Sequence, residues 1–223
     1  MAAARSFLDD LPDDERRQLL AEARRRKFAK NEVVFHEGDP GDAVHLIIKG
    51  HVAIRATTPL GDVATFTVLG AGEAFGEQAL LSGDNVRTAS AVALEPTETH
   101  AISRERFEHV RQSHPQVDRL LVQVLAAQVR RLSTHLTEAL YVPVETRLLR
   151  RLVALGESYA NGNDAGSGGT LIPLTQDDIA TMAGTTRPTA NVVLRGLVED
   201  GLVSLGRGRF HVLDVPGLEA RAR

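Results

Sequence analysis

A short segment of the chain combines residue types that suit recognition of a phosphorylated sugar. Gly76 allows backbone N–H groups to approach an anion at the start of a short predicted helix. The planar guanidinium of Arg87 matches two phosphate oxygens, and the carboxylate of Glu77 accepts a hydrogen bond from a ribose 2′-hydroxyl. The segment from Gly76 to Thr88 is therefore predicted to hold both the cyclic phosphodiester and the ribose of a nucleotide.

Two short sequences carry these residues: Phe75-Gly76-Glu77-Gln78-Ala79-Leu80-Leu81 and, ten residues after Glu77, Arg87-Thr88-Ala89. Their spacing resembles the phosphate-binding cassette of cyclic-nucleotide-binding domains. The resemblance implies that Gly76, Glu77, Arg87 and Thr88 contact the phosphate and the ribose. Gln78 stands where such cassettes more often have Leu or Lys. The alternative is that Glu77 and Arg87 form a surface ion pair in a domain that binds no ligand.

Around this segment, residues 33 to about 102 alternate in short apolar and polar runs, divided by turns such as Glu37-Gly38-Asp39-Pro40-Gly41-Asp42. The pattern predicts an antiparallel β-roll of the jelly-roll type. Cupin enzymes have a similar roll, but they carry a His-x-His metal pair, which does not occur in this sequence. His36, His45 and His51 are interpreted as hydrogen-bonded or surface histidines, and no metal site is predicted.

The segment before the roll places acidic residues ahead of basic ones. This order, over residues 12–27, is the one that a helix dipole favours. The basic run from Arg24 to Lys27 is therefore interpreted as the solvated end of a helix.

A long helix is predicted from Pro115 to about Leu140, with a length of about 39 Å. Its apolar residues form a stripe that suits a parallel coiled-coil partner, with interruptions at Gln128 and His135. The alternative is that the stripe packs on the β-roll, but the roll can cover only part of such a length. The predicted dimer contacts are Leu121, Leu125, Leu132 and Leu136.

The C-terminal part shows the punctuation of a helix-turn-helix. Thr175 can cap a short helix, Gly184 ends it, and Thr186 can cap a second helix over residues 187–200 that closes at Gly201. Two apolar runs around a Gly-Arg-Gly-Arg turn then predict a β-hairpin. The glycine-rich tract before these elements, residues 161–169, is interpreted as a surface loop, since it lacks the Lys-Ser/Thr of a phosphate loop.

This half resembles the winged helix-turn-helix of the cyclic AMP receptor and fumarate–nitrate regulator superfamily. The resemblance implies that Arg187 reads a guanine, whereas Pro188 replaces a Glu that often accepts from cytosine. The alternative is a winged helix that binds protein. The candidate DNA contacts are Thr186, Arg187, Thr189, Asn191, Arg195, Arg207 and Arg209.

The same resemblance bears on Ser133 in the long helix. Alignment through Arg87 places Leu132 and Ser133 where the family has two hydroxyl residues that touch the nucleotide base across the dimer. Ser133 retains a hydroxyl for this contact. The alternative is a serine that faces solvent.

Composition sets outer limits on these interpretations. With 223 residues the chain can form one large or two small domains. The absence of cysteine excludes disulfides and Cys-ligated clusters, and a cytoplasmic location is favoured by default. No run of about 18 apolar residues occurs, so neither a membrane partner nor a membrane span is predicted. The net charge of -3 neither favours nor excludes a nucleic-acid partner.

We therefore predict an α+β protein with three parts: a β-roll sensor over residues 1–113, a dimerisation helix and hinge over 114–142, and a winged helix-turn-helix over 143–223. The predicted function is that of a homodimeric transcription regulator, not an enzyme, with no catalytic residue and no obligatory cofactor. A cyclic nucleotide, with cyclic AMP favoured, is the expected effector. The expected partners are palindromic double-stranded DNA and, for an activator, RNA polymerase.

Three alternative functions are compatible with the sequence. The first is a regulator of the same fold that needs no ligand or senses another one. The second is a nucleotide-binding module whose winged helix contacts protein, and the third is a metalloenzyme built on the β-roll.

Overall fold

The computed structural model describes residues 17, 20–21, 23–58, 60–81, 84–113, 116–160 and 169–222. The N-terminal strands are β1 (Arg24–Phe28), β2 (Val33–Phe35), β3 (Ala43–Lys49), β4 (Val52–Thr57), β5 (Val63–Leu69), β6 (Ala74–Phe75), β7 (Ser90–Ala93) and β8 (Thr97–Ser103). The helices that accompany or follow them are α1 (Glu77–Leu81), α2 (Arg104–Ser113), α3 (Gln116–Tyr141) and α4 (Val144–Ala160). The C-terminal elements are β9 (Thr170–Ile172), α5 (Gln176–Met182), α6 (Arg187–Glu199), β10 (Val203–Gly206), β11 (Arg209–Val212) and α7 (Val215–Arg221).

Two antiparallel sheets form the β-roll, in the strand orders β1-β8-β3-β6 and β2-β7-β4-β5. Alternating side chains of β3 and β8, such as Val44 and Ile102, pack with Phe107 of α2 and with Leu121 of α3. Another cluster, around Phe75, contains residues of β3, β4, β7 and the end of β5. The predicted antiparallel β-roll is therefore confirmed, and the first turns of α3 belong to its core.

The helix predicted up to Lys27 is wrong at its C-terminal end. Residues Arg24 to Lys27 lie in β1, an edge strand whose partner is β8. Glu98 of β8 forms ion pairs with both Arg25 and Lys27, with a distance of 3.4 Å to the Lys27 ammonium. A run of exposed charge suits an edge strand as well as a helix end. On an edge strand, charged side chains discourage pairing with a strand of another chain. Residues 12–16, 18, 19 and 22 of the predicted helix lie outside the described residues.

The chain divides into two compact units. The first contains residues Met1–Ala56 and Leu69–Arg131, and the second contains Thr57–Val68 and Leu132–Arg223. The division passes through the hairpin that joins β4 to β5, so most of β5 belongs to the second unit together with the end of α3.

The helix-turn-helix and its wing are found in the second unit. Thr175 caps α5 with a complete capping box, and Gly184 and Gly201 adopt positive φ angles of 63° and 70° after α5 and α6. Thr186 occupies the N-cap of α6, but its side chain makes no capping hydrogen bond. Strands β10 and β11 form the predicted hairpin, and β9 adds a third strand that the sequence patterns did not indicate. Of the predicted surface loop, residues 161–168 lie outside the described part of the chain.

Candidate functional site

Arg87 is held in a fixed orientation inside the β-roll. Its side chain is 2% exposed, and Nη1 donates to the Gly76 carbonyl at 2.8 Å. Nη2 donates to the Ala43 carbonyl at 2.8 Å and to the Asp42 carboxylate at 3.2 Å. The guanidinium lies over the Phe35 ring, 4.0 Å from its centre. Burial lowers the pKa of Arg87, and the Asp42 carboxylate opposes this shift.

One nitrogen of this guanidinium, Nε, makes none of these hydrogen bonds. Nε of Arg87 is buried and has no hydrogen-bond acceptor among the described residues. A buried N–H group that is left unpaired costs about 1–3 kcal/mol, so it favours a ligand that brings an acceptor. An anionic oxygen is a strong acceptor for an arginine N–H.

Gly76 is required by the geometry around Arg87. Its φ angle is +85°, and a Cβ atom at this position would lie 2.6 Å from Arg87 Nη1 and 3.2 Å from the Ala43 carbonyl oxygen. A side chain here would therefore strain the backbone and displace the guanidinium.

Glu77 and Thr88 are joined through two glutamines. Gln128 of α3 donates to Glu77 Oε1 at 2.5 Å, and Gln78 donates to Gln128 Oε1 at 3.3 Å. Thr88 in turn donates to Gln78 Oε1 at 2.9 Å. The role of Gln128 was not predicted from the sequence, although its position as an interruption of the apolar stripe was a signal. The predicted ligand residues of the first unit thus lie together, and α3 contributes to their network.

The apolar residues that α3 exposes differ in part from the prediction. Leu121 is 5% exposed and packs in the β-roll core, so it does not belong to the exposed face. The structure adds Val122, Val129 and Leu140 to that face. We call the resulting set the exposed apolar stripe: Val122, Leu125, Val129, Leu132, Leu136 and Leu140, each between 37% and 65% exposed. Its spacing of three and four residues is that of a coiled-coil seam. Ser133 is also exposed on α3.

The predicted DNA-contacting residues occupy the exposed side of α6 and the tip of the wing. Arg187 is half-exposed, and Nη1 lies 3.3 Å from Asp177 Oδ2 of α5. The hydroxyls of Thr186 and Thr189 are 3.0 Å apart. Asn191 is the least exposed of the set, and its Oδ1 has no partner among the described residues. Arg195 on α6, and Arg207 and Arg209 at the hairpin, are exposed.

Charged residues connect the end of α3 to α4 and to the turn after α5. Glu138 accepts hydrogen bonds from Arg150 at 2.8 Å and from Arg151 at 2.5 Å. Arg151 also donates to the Met182 carbonyl, and Arg147 donates to the carbonyls of Ala139 and Gly184. Burial raises the pKa of Glu138, but hydrogen bonding and the nearby arginine charges lower it by more.

The histidines predicted to be structural make ordinary contacts. His45 is buried, its ring stacks on Phe75 with centres 5.1 Å apart, and Nδ1 lies 3.1 Å from the Thr99 hydroxyl. Burial, followed by the charge of Arg87, lowers the pKa of His45 to about 4. His51 pairs with Glu95 at 2.6 Å.

Within the residues that the structure describes, no cluster of three or more His, Asp or Glu side chains is suited to hold a metal ion. No described helix has both the length and the apolar character that crossing a membrane demands.

Comparison with known proteins agrees with both halves of this arrangement. Residues 25–114 match the model of the cyclic nucleotide-binding domain, and residues 146–221 match that of the Crp-like helix-turn-helix domain. The cyclic AMP receptor protein of Thermus thermophilus is 32% identical over 200 residues, which cover 90% of this chain and 88% of that protein.

Two further proteins show the breadth of the similarity. The CRP-like cAMP-activated global transcriptional regulator of Mycobacterium tuberculosis is 28% identical over 196 residues, which cover 88% of this chain and 87% of that protein. The solved structure of a cyclic-di-GMP-responsive global regulator of Xanthomonas campestris has the same fold, with a TM-score of 0.73 and 24% identity. That similarity covers 91% of this chain and all of the other.

Proposed function

Because the chain belongs to the superfamily of the cyclic AMP receptor protein and the fumarate–nitrate regulator, we propose that it is a homodimer whose affinity for DNA is controlled by a cyclic nucleotide. The two matched domains make it a DNA-binding transcription regulator with a cyclic-nucleotide-binding domain. The effector, the dimer and the control of DNA binding are the parts that we propose.

The geometry of Arg87 supports a cyclic phosphate as the ligand. Three acceptors fix Nη1 and Nη2 of the buried guanidinium, and Nε has no acceptor among the described residues. A phosphate oxygen can accept from Nε, the guanidinium N–H that these three acceptors leave over. Glu77 lies in the same cassette and offers a carboxylate to a ribose hydroxyl. Thr88 offers a hydroxyl to the phosphate.

Cyclic AMP is the nucleotide that we favour, because relatives with this domain order are named for it. Ser133 on α3 is the proposed contact to the base. A regulator that responds to another ligand is the second candidate. Gln78 stands where similar cassettes more often have Leu or Lys, and its amide is hydrogen-bonded to Thr88 and Gln128.

The exposed apolar stripe supports a second copy of the chain as the partner of α3. Its side chains follow the spacing of a two-stranded coiled coil, and a protein in solution gains free energy by covering such a face. A two-fold axis along α3 then presents two copies of α6 to DNA. Such a dimer selects a palindrome with half-sites about 34 Å apart. If the regulator is an activator, RNA polymerase is a further partner.

Binding calorimetry with cyclic AMP, cyclic GMP and cyclic di-GMP tests the proposed effector. We expect the wild-type protein to bind cyclic AMP more tightly than cyclic GMP. Arg87→Ala should lose about 2–5 kcal/mol of binding free energy, as expected when one partner of a buried charge pair is removed.

Two glycine variants provide a matched comparison. Gly76→Ala should also lose affinity, because its Cβ meets Arg87. Gly61→Ala is the control, since Gly61 has a similar φ of +88° but open space around it. Absence of heat with every nucleotide at millimolar concentration, or unchanged binding by Arg87→Ala, contradicts the proposal.

A further inference from the structure

Thr65 on β5 makes two hydrogen bonds to the first helix of the helix-turn-helix. Its hydroxyl donates to Asp178 Oδ1 at 2.6 Å, and its backbone N–H donates to the Thr181 hydroxyl at 3.1 Å. Thr65 is 1% exposed, so these polar groups are shielded from water. The residue lies 113 positions before Asp178 in the chain, and all three residues belong to the second compact unit.

Asp178 uses its other carboxylate oxygen to cap α5. Oδ2 accepts from the backbone N–H of Thr175 at 2.9 Å and from the Thr175 hydroxyl at 2.6 Å, and the Asp178 N–H donates back to that hydroxyl at 3.1 Å. One carboxylate therefore fixes both the start of α5 and its contact with β5. Because the capping box is complete without Thr65, loss of the Thr65 hydroxyl leaves the helix start intact.

The C-terminal end of α5 is held from another direction. Arg151 of α4 donates to the Met182 carbonyl at 3.2 Å, and Arg147 donates to the Gly184 carbonyl at 3.3 Å. These arginines contact the end of α3 as well, through Glu138 and Ala139. The helix is thus fixed near its middle by β5 and at its end by α4.

We propose that Thr65 is a positioning residue for DNA recognition, which orients the helix-turn-helix through Asp178 and Thr181. This inference rests on the proposed function, since it concerns how a dimer places two copies of α6 on a palindrome. Arg187 and Arg195 remain exposed, so the contacts of Thr65 do not cover these candidate DNA-binding side chains.

A positioning role has a consequence that a purely structural role lacks. When one half-site is bound, the second copy of α6 meets its half-site at an effective concentration that depends on how well the domain is oriented. A looser domain therefore weakens binding to the palindrome. Binding to a duplex with a single half-site needs no such alignment, and it should change little.

Fluorescence anisotropy tests this difference by measuring the affinity for two duplexes. One is a palindrome selected by the wild-type protein, and the other contains a single half-site. Thr65→Val retains the shape and the backbone N–H but removes the hydroxyl. We expect its affinity for the palindrome to fall roughly tenfold, as loss of a hydrogen bond to a charged group implies, and its half-site affinity to change less than about twofold. Thr65→Ser should restore palindrome binding.

Equal losses on both duplexes indicate a structural role alone and overturn the proposal, as does unchanged or tighter binding to the palindrome. Hydrogen exchange of the α5 amides supplies a readout that requires no DNA. We expect faster exchange in Thr65→Val and in Thr181→Val than in the wild type. A protein that binds no DNA refutes the proposed function, whereas unchanged exchange refutes the positioning role of Thr65.

Discussion

Gln128 on the long helix is hydrogen-bonded to Glu77 in the cassette, with Nε2 of the amide 2.5 Å from Oε1 of the carboxylate. Glu77 is 6% exposed, so its carboxylate is largely shielded from water where Gln128 donates to it. A ribose hydroxyl that donates to the same oxygen competes with Gln128. The contact of α3 with the cassette and the binding of nucleotide are then linked, and each must weaken the other by the same factor.

Replacement of Gln128 by methionine tests this competition. Gln128→Met removes the donor while retaining side-chain length and helix propensity. We expect affinity for cyclic AMP to rise about tenfold, since a hydrogen bond to a charged group contributes about 1.5–3 kcal/mol. Calorimetry measures the change, and Gln123→Met at an exposed position of the same helix is the control. A fall in affinity means that Gln128 assists the nucleotide instead.

We expect the oligomeric state to depend on the exposed apolar stripe. Val129→Asp combined with Leu136→Asp places two charges on this face, and unpaired charge in an apolar contact is strongly unfavourable. We expect light scattering to report a monomer for the double variant and a dimer for the wild type. Gln123→Asp should remain dimeric. If the double variant is a dimer as well, another surface forms the interface.

The cassette was predictable because its chemistry is local: Gly76, Glu77, Arg87 and Thr88 lie within one short segment. The contact of Gln128 joins residues 51 positions apart, and periodicity revealed it only as a break in a pattern. The identity of the exposed stripe also depended on tertiary structure, since the roll covers Leu121 and leaves Val129 exposed.

Strand β1 was also not predictable from local sequence patterns. Acids before bases are compatible with a helix, but residues 24–27 pair with β8, and Arg25 bonds to Glu98, 73 positions away. The contact of Thr65 with Asp178 left no signal in the sequence, because neither residue is unusual for a strand or for a helix start.

We expect two kinds of arginine contact with DNA, one that reads a base and one that binds a phosphate. Arg187→Ala should relax the preference at one base pair of each half-site and cost about 1–3 kcal/mol per contact, because it removes a side chain predicted to read a base edge. Arg207→Ala should weaken binding to all sequences alike. It should also reduce the slope of log binding constant against log salt concentration by about one per subunit, as loss of a phosphate contact does. Selection from random duplexes, followed by salt titration, distinguishes the two. The recovery of unrelated single sites contradicts this assignment.

Stability should depend on pH through His45. Because its pKa is lowered from 6.5 to about 4 in the folded protein, the unfolded chain binds a proton more readily between these values. Stability is therefore lost as the pH falls from 6.5 toward 4. Between pH 7 and pH 5 the wild type should lose about 2 kcal/mol more unfolding free energy than His45→Phe. Urea titrations at the two pH values measure the difference, and equal losses in both proteins contradict the prediction.

The exposed apolar stripe has a consequence for how the protein works at low abundance. If a palindrome binds only paired chains, then below the dissociation constant of the pair the occupied fraction rises with the square of the chain concentration. Synthesis and degradation of the chain then act as a second input beside the proposed nucleotide effector. A modest change in the number of molecules per cell is converted into a larger change in the number of bound sites.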